Sequence, residues 1–85
     1  MAIIYVTNNK HRADLKVYKE ERNKHSADML YYETDNKHRA KKDCIWYFTD
    51  NKHRADKKIF WEKNKHYADI KVYETSNKHR AKGDF

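Results

Sequence analysis

Six histidines, His11, His25, His38, His53, His66 and His79, are all the histidines of the chain, and each stands third in a six-residue motif. The motif reads NKHRAD at Asn9 to Asp14 and Asn51 to Asp56, and NKHRAK at Asn36 to Lys41 and Asn77 to Lys82. NKHSAD (Asn23 to Asp28) and NKHYAD (Asn64 to Asp69) complete the set. Imidazole binds zinc, nickel or copper and changes charge near neutral pH, so metal capture and a protonation switch are the first chemistries to weigh. A dedicated metal site needs a defined ligand set and a second shell. Six equivalent histidines distinguish no such set, so neither a metal nor a cofactor is expected. The plainer reading is a histidine lying half-exposed over each turn.

The neighbours of these histidines offer a second chemistry. Lys10, Arg12, Lys24, Lys37, Arg39, Lys52, Arg54, Lys65, Lys78 and Arg80 are motif residues, and Lys and Arg together number 20 against 13 acidic residues, for a net charge of +7. Regularly spaced cations of this kind form a basic rim suited to a nucleic-acid backbone or another polyanion. Tyr31, Trp46, Trp61 and Tyr67 would add stacking wherever they are exposed. The competing reading is a solvated rim balanced in part by Asp14, Asp28, Asp56 and Asp69, whose carboxylates suit salt bridges or turn capping. No nucleic-acid-binding motif is present. Nor is there a Gly-rich phosphate loop, a nucleophile elbow or a metal-hydrolase spacing, and no residue breaks the repetition as a catalytic group would. No catalytic residue and no enzyme activity are expected.

The elements that position these residues follow from a repeat. Motif asparagines fall at Asn9, Asn23, Asn36, Asn51, Asn64 and Asn77, in steps of 14, 13, 15, 13 and 13 residues. A β-type run precedes each one: Ile3 to Thr7, Leu15 to Glu20, Met29 to Thr34, Cys44 to Thr49, Lys58 to Lys63 and Ile70 to Thr75. One column of these runs is always aromatic (Tyr5, Tyr18, Tyr32, Tyr47, Phe60, Tyr73) and the column before it is large and apolar (Ile4, Val17, Tyr31, Trp46, Ile59, Val72). Adjacent strand residues face opposite sides, so both faces carry something to bury. Asn is a good N-cap and the residues after it include no breaker, so the motif is expected to form a single helical or 3-10 turn. Thr7, Thr34, Thr49 and Thr75 are expected at strand ends.

With 85 residues the chain is expected to form one domain, residues 1–85, of six repeats of about 13 residues, near the lower size limit for a fold held by its core alone. One Gly and no Pro argue against six tight hairpins, whose turns need residues tolerant of positive φ. Cys44 has no partner for a disulfide, which favours a reducing, cytoplasmic setting and a packing role. The N-terminal MAIIYVTNNK is too short for a membrane span and lacks the basic start of a signal peptide.

The fold class read from this pattern is an all-β tandem repeat, six short strands joined by single helical or 3-10 turns. Two architectures fit. A short parallel β-solenoid would stack the asparagines into a hydrogen-bonded ladder, at the cost of columns of like-charged lysines and uncapped ends. A closed six-unit ring or barrel would bury the apolar columns centrally and abolish edge strands. The solenoid is placed first and the ring second.

The pattern A-D-[LI]-K-V-Y in Ala13 to Tyr18 and Ala68 to Tyr73 resembles a small bacterial family built from 13-residue repeats of the type S-E-Y-K-A-D-L-K-V-Y or Y-R-S-E-A-D-V-K-V-Y. The resemblance covers almost the whole chain, including a longer central unit with a Trp-Tyr pair, here Trp46-Tyr47. It implies a bacterial β-rich repeat protein and a domain of unknown function, with no catalytic residue to transfer. The motif departs from that pattern in its Asn-Lys-His-Arg.

The central segment, Lys41 to Trp61, holds both tryptophans and the cysteine. It is either the deepest core or a partner-binding patch centred on Trp46 and Trp61. The function expected is that of a non-enzymatic β-repeat protein acting as a protein-binding or self-assembly module, with polyanion or nucleic-acid binding through the basic rim as the alternative. Candidate partners are a second copy, another protein, or nucleic acid, and no membrane.

Overall fold

The computed structural model describes residues 2–85. Six strands, β1 (Ile3–Val6), β2 (Leu15–Lys19), β3 (Met29–Glu33), β4 (Ile45–Phe48), β5 (Lys57–Trp61) and β6 (Ile70–Glu74), alternate with six three-residue 3-10 turns. The turns are Lys10–Arg12, Lys24–Ser26, Lys37–Arg39, Lys52–Arg54, Lys65–Tyr67 and Lys78–Arg80, so each is the heart of one motif. β-branched and aromatic residues hold the strands extended. The strands stop before the threonines because the hydroxyl oxygens of Thr7, Thr34, Thr49 and Thr75 accept the N–H two residues on, at 3.2 Å in each case, and so begin the turn.

The strands close into a barrel in the order β1-β4-β3-β6-β2-β5, and every pairing between them is parallel. Each strand has two neighbours, so the ring has no edge strand. Of the two architectures the sequence allows, the closed ring is adopted and the open solenoid is not. Closure resolves both difficulties of the solenoid: it needs no end caps, and the motif lysines are spread around a ring instead of stacked in a column. The asparagines accordingly form no ladder. The molecule is a disc of 33 × 30 × 16 Å, its thin dimension close to the rise of a five-residue strand, about 17 Å.

Consecutive strands are never side by side except β3 and β4. Along the ring, every step from strand to strand other than that one skips one strand. The first turn packs on β5, the second on β6 and the sixth on β3. The single step from β3 to β4 becomes regular once a seventh station is placed between them. The C-terminal segment occupies that station. Lys82 and Leu30 of β3 exchange backbone hydrogen bonds at 2.8 and 2.9 Å, and the Phe85 N–H reaches Asp43 Oδ2, just before β4, at 3.3 Å. Seven stations visited two at a time return the chain to its starting strand after two circuits. Gly83 makes the fold-back possible: its φ is +113°, and a Cβ there would lie 3.0 to 3.2 Å from Met29 atoms.

The apolar column points inward. Ile4, Val17, Tyr31, Trp46, Ile59 and Val72 are buried, joined by Ala2, Met29 and Cys44 from the layer below. The aromatic column, from Tyr5 to Tyr73, faces outward and is half-buried. Bulk is uneven. Four strands contribute only Ile or Val to the central layer, and the remaining volume is filled by Tyr31 and Trp46, stacked 4.2 Å apart, with Phe85 stacked on Trp46 from the seventh station at 5.8 Å. Trp46 has no exposed surface, and its indole N–H donates to the Asp43 carbonyl at 2.6 Å. A partner patch at Trp46 is therefore corrected to core, because a fully enclosed ring can touch nothing outside. Trp61, half-buried, packs against it at 6.4 Å. No helix among the described residues is long and apolar enough to cross a membrane.

Candidate functional site

Each motif is held by a short relay of side-chain acceptors. The asparagine sits in extended backbone and caps the turn, its Oδ1 accepting the histidine N–H two residues on at 2.9 to 3.0 Å in all six copies. Threonine Oγ1 accepts the asparagine N–H in the first, third, fourth and sixth units, counting each strand with the motif after it. Glutamates replace threonine in the other two. Glu62 accepts the Asn64 N–H at 3.4 Å, and Glu20 accepts from Arg22 at 3.5 Å. Asn9, Asn23, Asn36, Asn51, Asn64 and Asn77 thus fix the turn backbone that carries the following Lys and His, and the Arg of four copies.

The four motif aspartates clamp the barrel. Asp14 donates its N–H to the Lys58 carbonyl at 2.7 Å and accepts the Lys58 N–H on Oδ2 at 2.9 Å. Asp28 does the same with Lys71, and Asp69 with Lys16. Asp56 makes the equivalent pair with Ile3, at 2.7 and 3.0 Å. Each clamp joins the start of one strand to its ring neighbour: β2 to β5, β3 to β6, β6 to β2 and β5 to β1. The motif copies that carry lysine in this place, Lys41 and Lys82, are those that lead into β4 and the seventh station, where the ring departs from its six regular strands.

Asp14, Asp28, Asp56 and Asp69 hold backbone N–H groups on Oδ2 while remaining exposed, so they pair with no motif cation directly yet still offset part of the rim's charge. Among the described residues the one ion pair joins Lys19 to Glu74 at 3.3 Å, outside every motif. Lys10, Arg12, Lys24, Lys37, Arg39, Lys52, Arg54, Lys65, Lys78 and Arg80 are all exposed, as are the six histidines. Among the described residues no group of three or more His, Cys, Asp and Glu side chains is placed to hold a metal ion.

The titratable groups with shifted equilibria lie in the core. Burial pushes the Tyr31 phenol well above its usual range, helped by the carboxylates of Glu74 and Glu33, and burial also raises the Cys44 thiol. Both are enclosed among core side chains.

Sequence reasoning missed the clamps and the threonine relay. Their signals were present, in the Thr-x-Asn spacing and in an Asp standing immediately before four of the strands. What hid the clamps was the partner: each lies in a strand 43 to 53 residues away, named only by the ring order.

No curated protein and no solved structure matches the chain significantly. A family described as the 7(1) septoil knot domain is matched over residues 1–83. The sevenfold description agrees with the seven stations traced through the ring. By its repeat, its winding and this match over nearly its whole length, the chain belongs to the septoil knot domain family.

Proposed function

We propose that this domain is a non-enzymatic polyanion-binding module, which meets the phosphate backbone of a nucleic acid with the cations of its motif turns. The observation that carries the reading is the division of contacts within the motif: the carboxylates accept backbone N–H groups of the barrel, while ten Lys and Arg side chains stand exposed with no carboxylate partner among the described residues. Such a surface releases counterions on binding and reads charge spacing rather than sequence. A closed disc with cations around its turns offers contacts in several directions, which suits a long, flexible polyanion.

Protein docking or self-association is the second reading. It rests on Tyr67, two-thirds exposed in the fifth turn, and on Val6. Ring closure weakens it, since every strand already has two neighbours and no open stack end seeks a partner. A bacterial source and a cytoplasmic location, expected from the sequence, belong to the same proposal.

Fluorescence anisotropy with labelled single- and double-stranded DNA at several salt concentrations tests the leading reading. Binding should weaken with a log-log slope of about −0.7 to −0.9 per phosphate contacted. Absence of binding at low salt, together with salt-insensitive capture of a protein partner, would replace it with the second.

A further inference from the structure

Two grooves on the rim are built from the same repeat positions. One brings Tyr5, Thr7 and Arg12 of the first unit against Lys52 and His53 of the fourth. The other brings Tyr32, Thr34 and Arg39 of the third unit against Lys78 and His79 of the sixth. Position for position the linings agree: an outward aromatic ring, a strand-end threonine and a motif arginine from one unit, a motif lysine and histidine from the unit three further on. The winding explains this, because units three apart are ring neighbours. Lys58 extends the first groove, while Lys41, Lys42 and the carboxylate of Asp35 extend the second.

The second and fifth units break the pattern in two places at once. Glu20 and Glu62 stand where the other four units have threonine, and Ser26 and Tyr67 stand where they have arginine. The groove between these two units is lined by Glu20, Glu21 and Glu62 as well as by Lys19, Arg22 and Lys63, so its charges cancel. Threonine and arginine therefore occur together or not at all. The turn alone does not demand threonine, since in the fifth unit Glu62 accepts the asparagine N–H as threonine does elsewhere. The pairing does have a chemical rationale. A guanidinium fork, a lysine ammonium and a hydroxyl whose O–H remains able to donate are donors suited to a phosphate group, and a carboxylate in the threonine place would repel it.

We propose that each of the two grooves holds one phosphate group, on Arg12 and Lys52 in the first and on Arg39 and Lys78 in the second, with Thr7 or Thr34 donating from the floor and His53 or His79 beside it. Their volumes, about 610 and 920 Å³, accommodate a phosphate with its attached sugar and leave Tyr5 or Tyr32 as an apolar wall. The domain then has two discrete phosphate sites, in place of a uniformly sticky rim. This rests on the reading of the rim as an anion-binding surface. The phosphate is either that of a small phosphate ester or a phosphodiester of a nucleic acid.

The test is an NMR titration of the isotopically labelled full chain with inorganic phosphate, then with AMP, then with a short single-stranded DNA. Saturable shifts are expected at Thr7, Arg12, Lys52 and His53 and at Thr34, Arg39, Lys78 and His79, with the second and fifth turns unmoved. The double variant R12Q/R39Q should weaken binding about tenfold or more, whereas K24Q/K65Q, which removes the same charge from the other two units, should change it less than about threefold. Preference for AMP assigns a small ester as the source, and preference for DNA assigns the phosphodiester; either supports the sites. Equal weakening by both double variants, or shifts spread over all six turns, overturns the two sites while leaving a diffuse basic rim intact. No binding of phosphate, AMP or DNA at low salt overturns both readings.

Discussion

The clamp at Asp69 offers the sharpest test of how the motif holds the ring. Its Oδ2 accepts the Lys16 N–H at 2.9 Å while its own N–H donates to the Lys16 carbonyl at 2.7 Å, tying β6 to β2 at the start of both strands. The substitution Asp69→Ala removes the first bond and leaves the second. A hydrogen bond to a charged acceptor contributes ~1.5–3 kcal/mol, and exposure of Asp69 to water, which can replace the lost acceptor, puts the cost near the lower end, about 1.5 kcal/mol. For a chain of this length that corresponds to a fall in Tm of roughly 6–12 °C. Asp69→Asn keeps an acceptor without its charge and should cost about half as much. Urea denaturation followed by far-UV circular dichroism, with an unchanged m value, measures both. Asp50→Ala is the control: this exposed aspartate precedes the fourth motif and makes no clamp, so its removal should stay within about 0.5 kcal/mol. Equal effects of Asp69→Ala and Asp50→Ala, or no effect of either, would refute the clamp as a source of stability.

The asparagine cap predicts that Asn51→Ala lowers stability by about 1 kcal/mol in urea denaturation and that Asn51→Asp restores most of it, since Asp caps as well as Asn; equal losses from both would count against the cap. Trp46 lies at the junction of Tyr31, Phe48, Trp61 and Phe85, so Trp46→Ala should cost about 3–5 kcal/mol, and Trp61→Ala, half-buried, distinctly less. The reverse order in denaturation midpoints would contradict the assignment of Trp46 to the core. For Tyr31 the phenol titrates far later in the folded chain than its ordinary value of 10.0, so the unfolded chain releases this proton first as pH rises. The stability it contributes is fully present below pH 10.0 and is lost above it at up to about 1.4 kcal/mol per pH unit, and Tyr31→Phe should remove that share of the alkaline loss. Identical alkaline profiles of the two proteins would show that Tyr31 ionises freely in the fold.

Much of the local structure was legible because it depends on near neighbours. Asn51 and His53 are two residues apart, and an asparagine that opens a breaker-free stretch after a β-type run is enough to place a capped turn. The alternation of Ile59 and Phe60, or of Val72 and Tyr73, was enough to separate the two columns, while which of them faces the centre follows from ring closure. Ring order was not legible. A period of 13 specifies that units resemble one another and says nothing of which units touch, so a stack of consecutive units and a ring of units three apart satisfy the same pattern. What separates them is long-range: Tyr31 and Trp46 fill a centre that four smaller side chains leave open, and Phe85 completes it through a seventh station that carries no strand-like sequence. The candidate grooves were hidden for the same reason. Thr7 and Arg12 are visible as one unit's residues, but Lys52 and His53 come to them only through the winding.

On the proposed function the motif has two separable jobs, an acceptor side that holds the ring and a cationic side that meets anions. One variant measures both. Glutamine at Lys10, Lys24, Lys37, Lys52, Lys65 and Lys78 leaves every asparagine cap and aspartate clamp in place while removing six exposed charges. Its urea midpoint should equal or exceed that of the parent, because like charges no longer repel, while its affinity for single-stranded DNA at low salt should fall by at least about a hundredfold with a shallower salt slope. Undiminished DNA affinity in a well-folded variant, or a collapse of stability, would contradict the division of labour on which the functional reading stands.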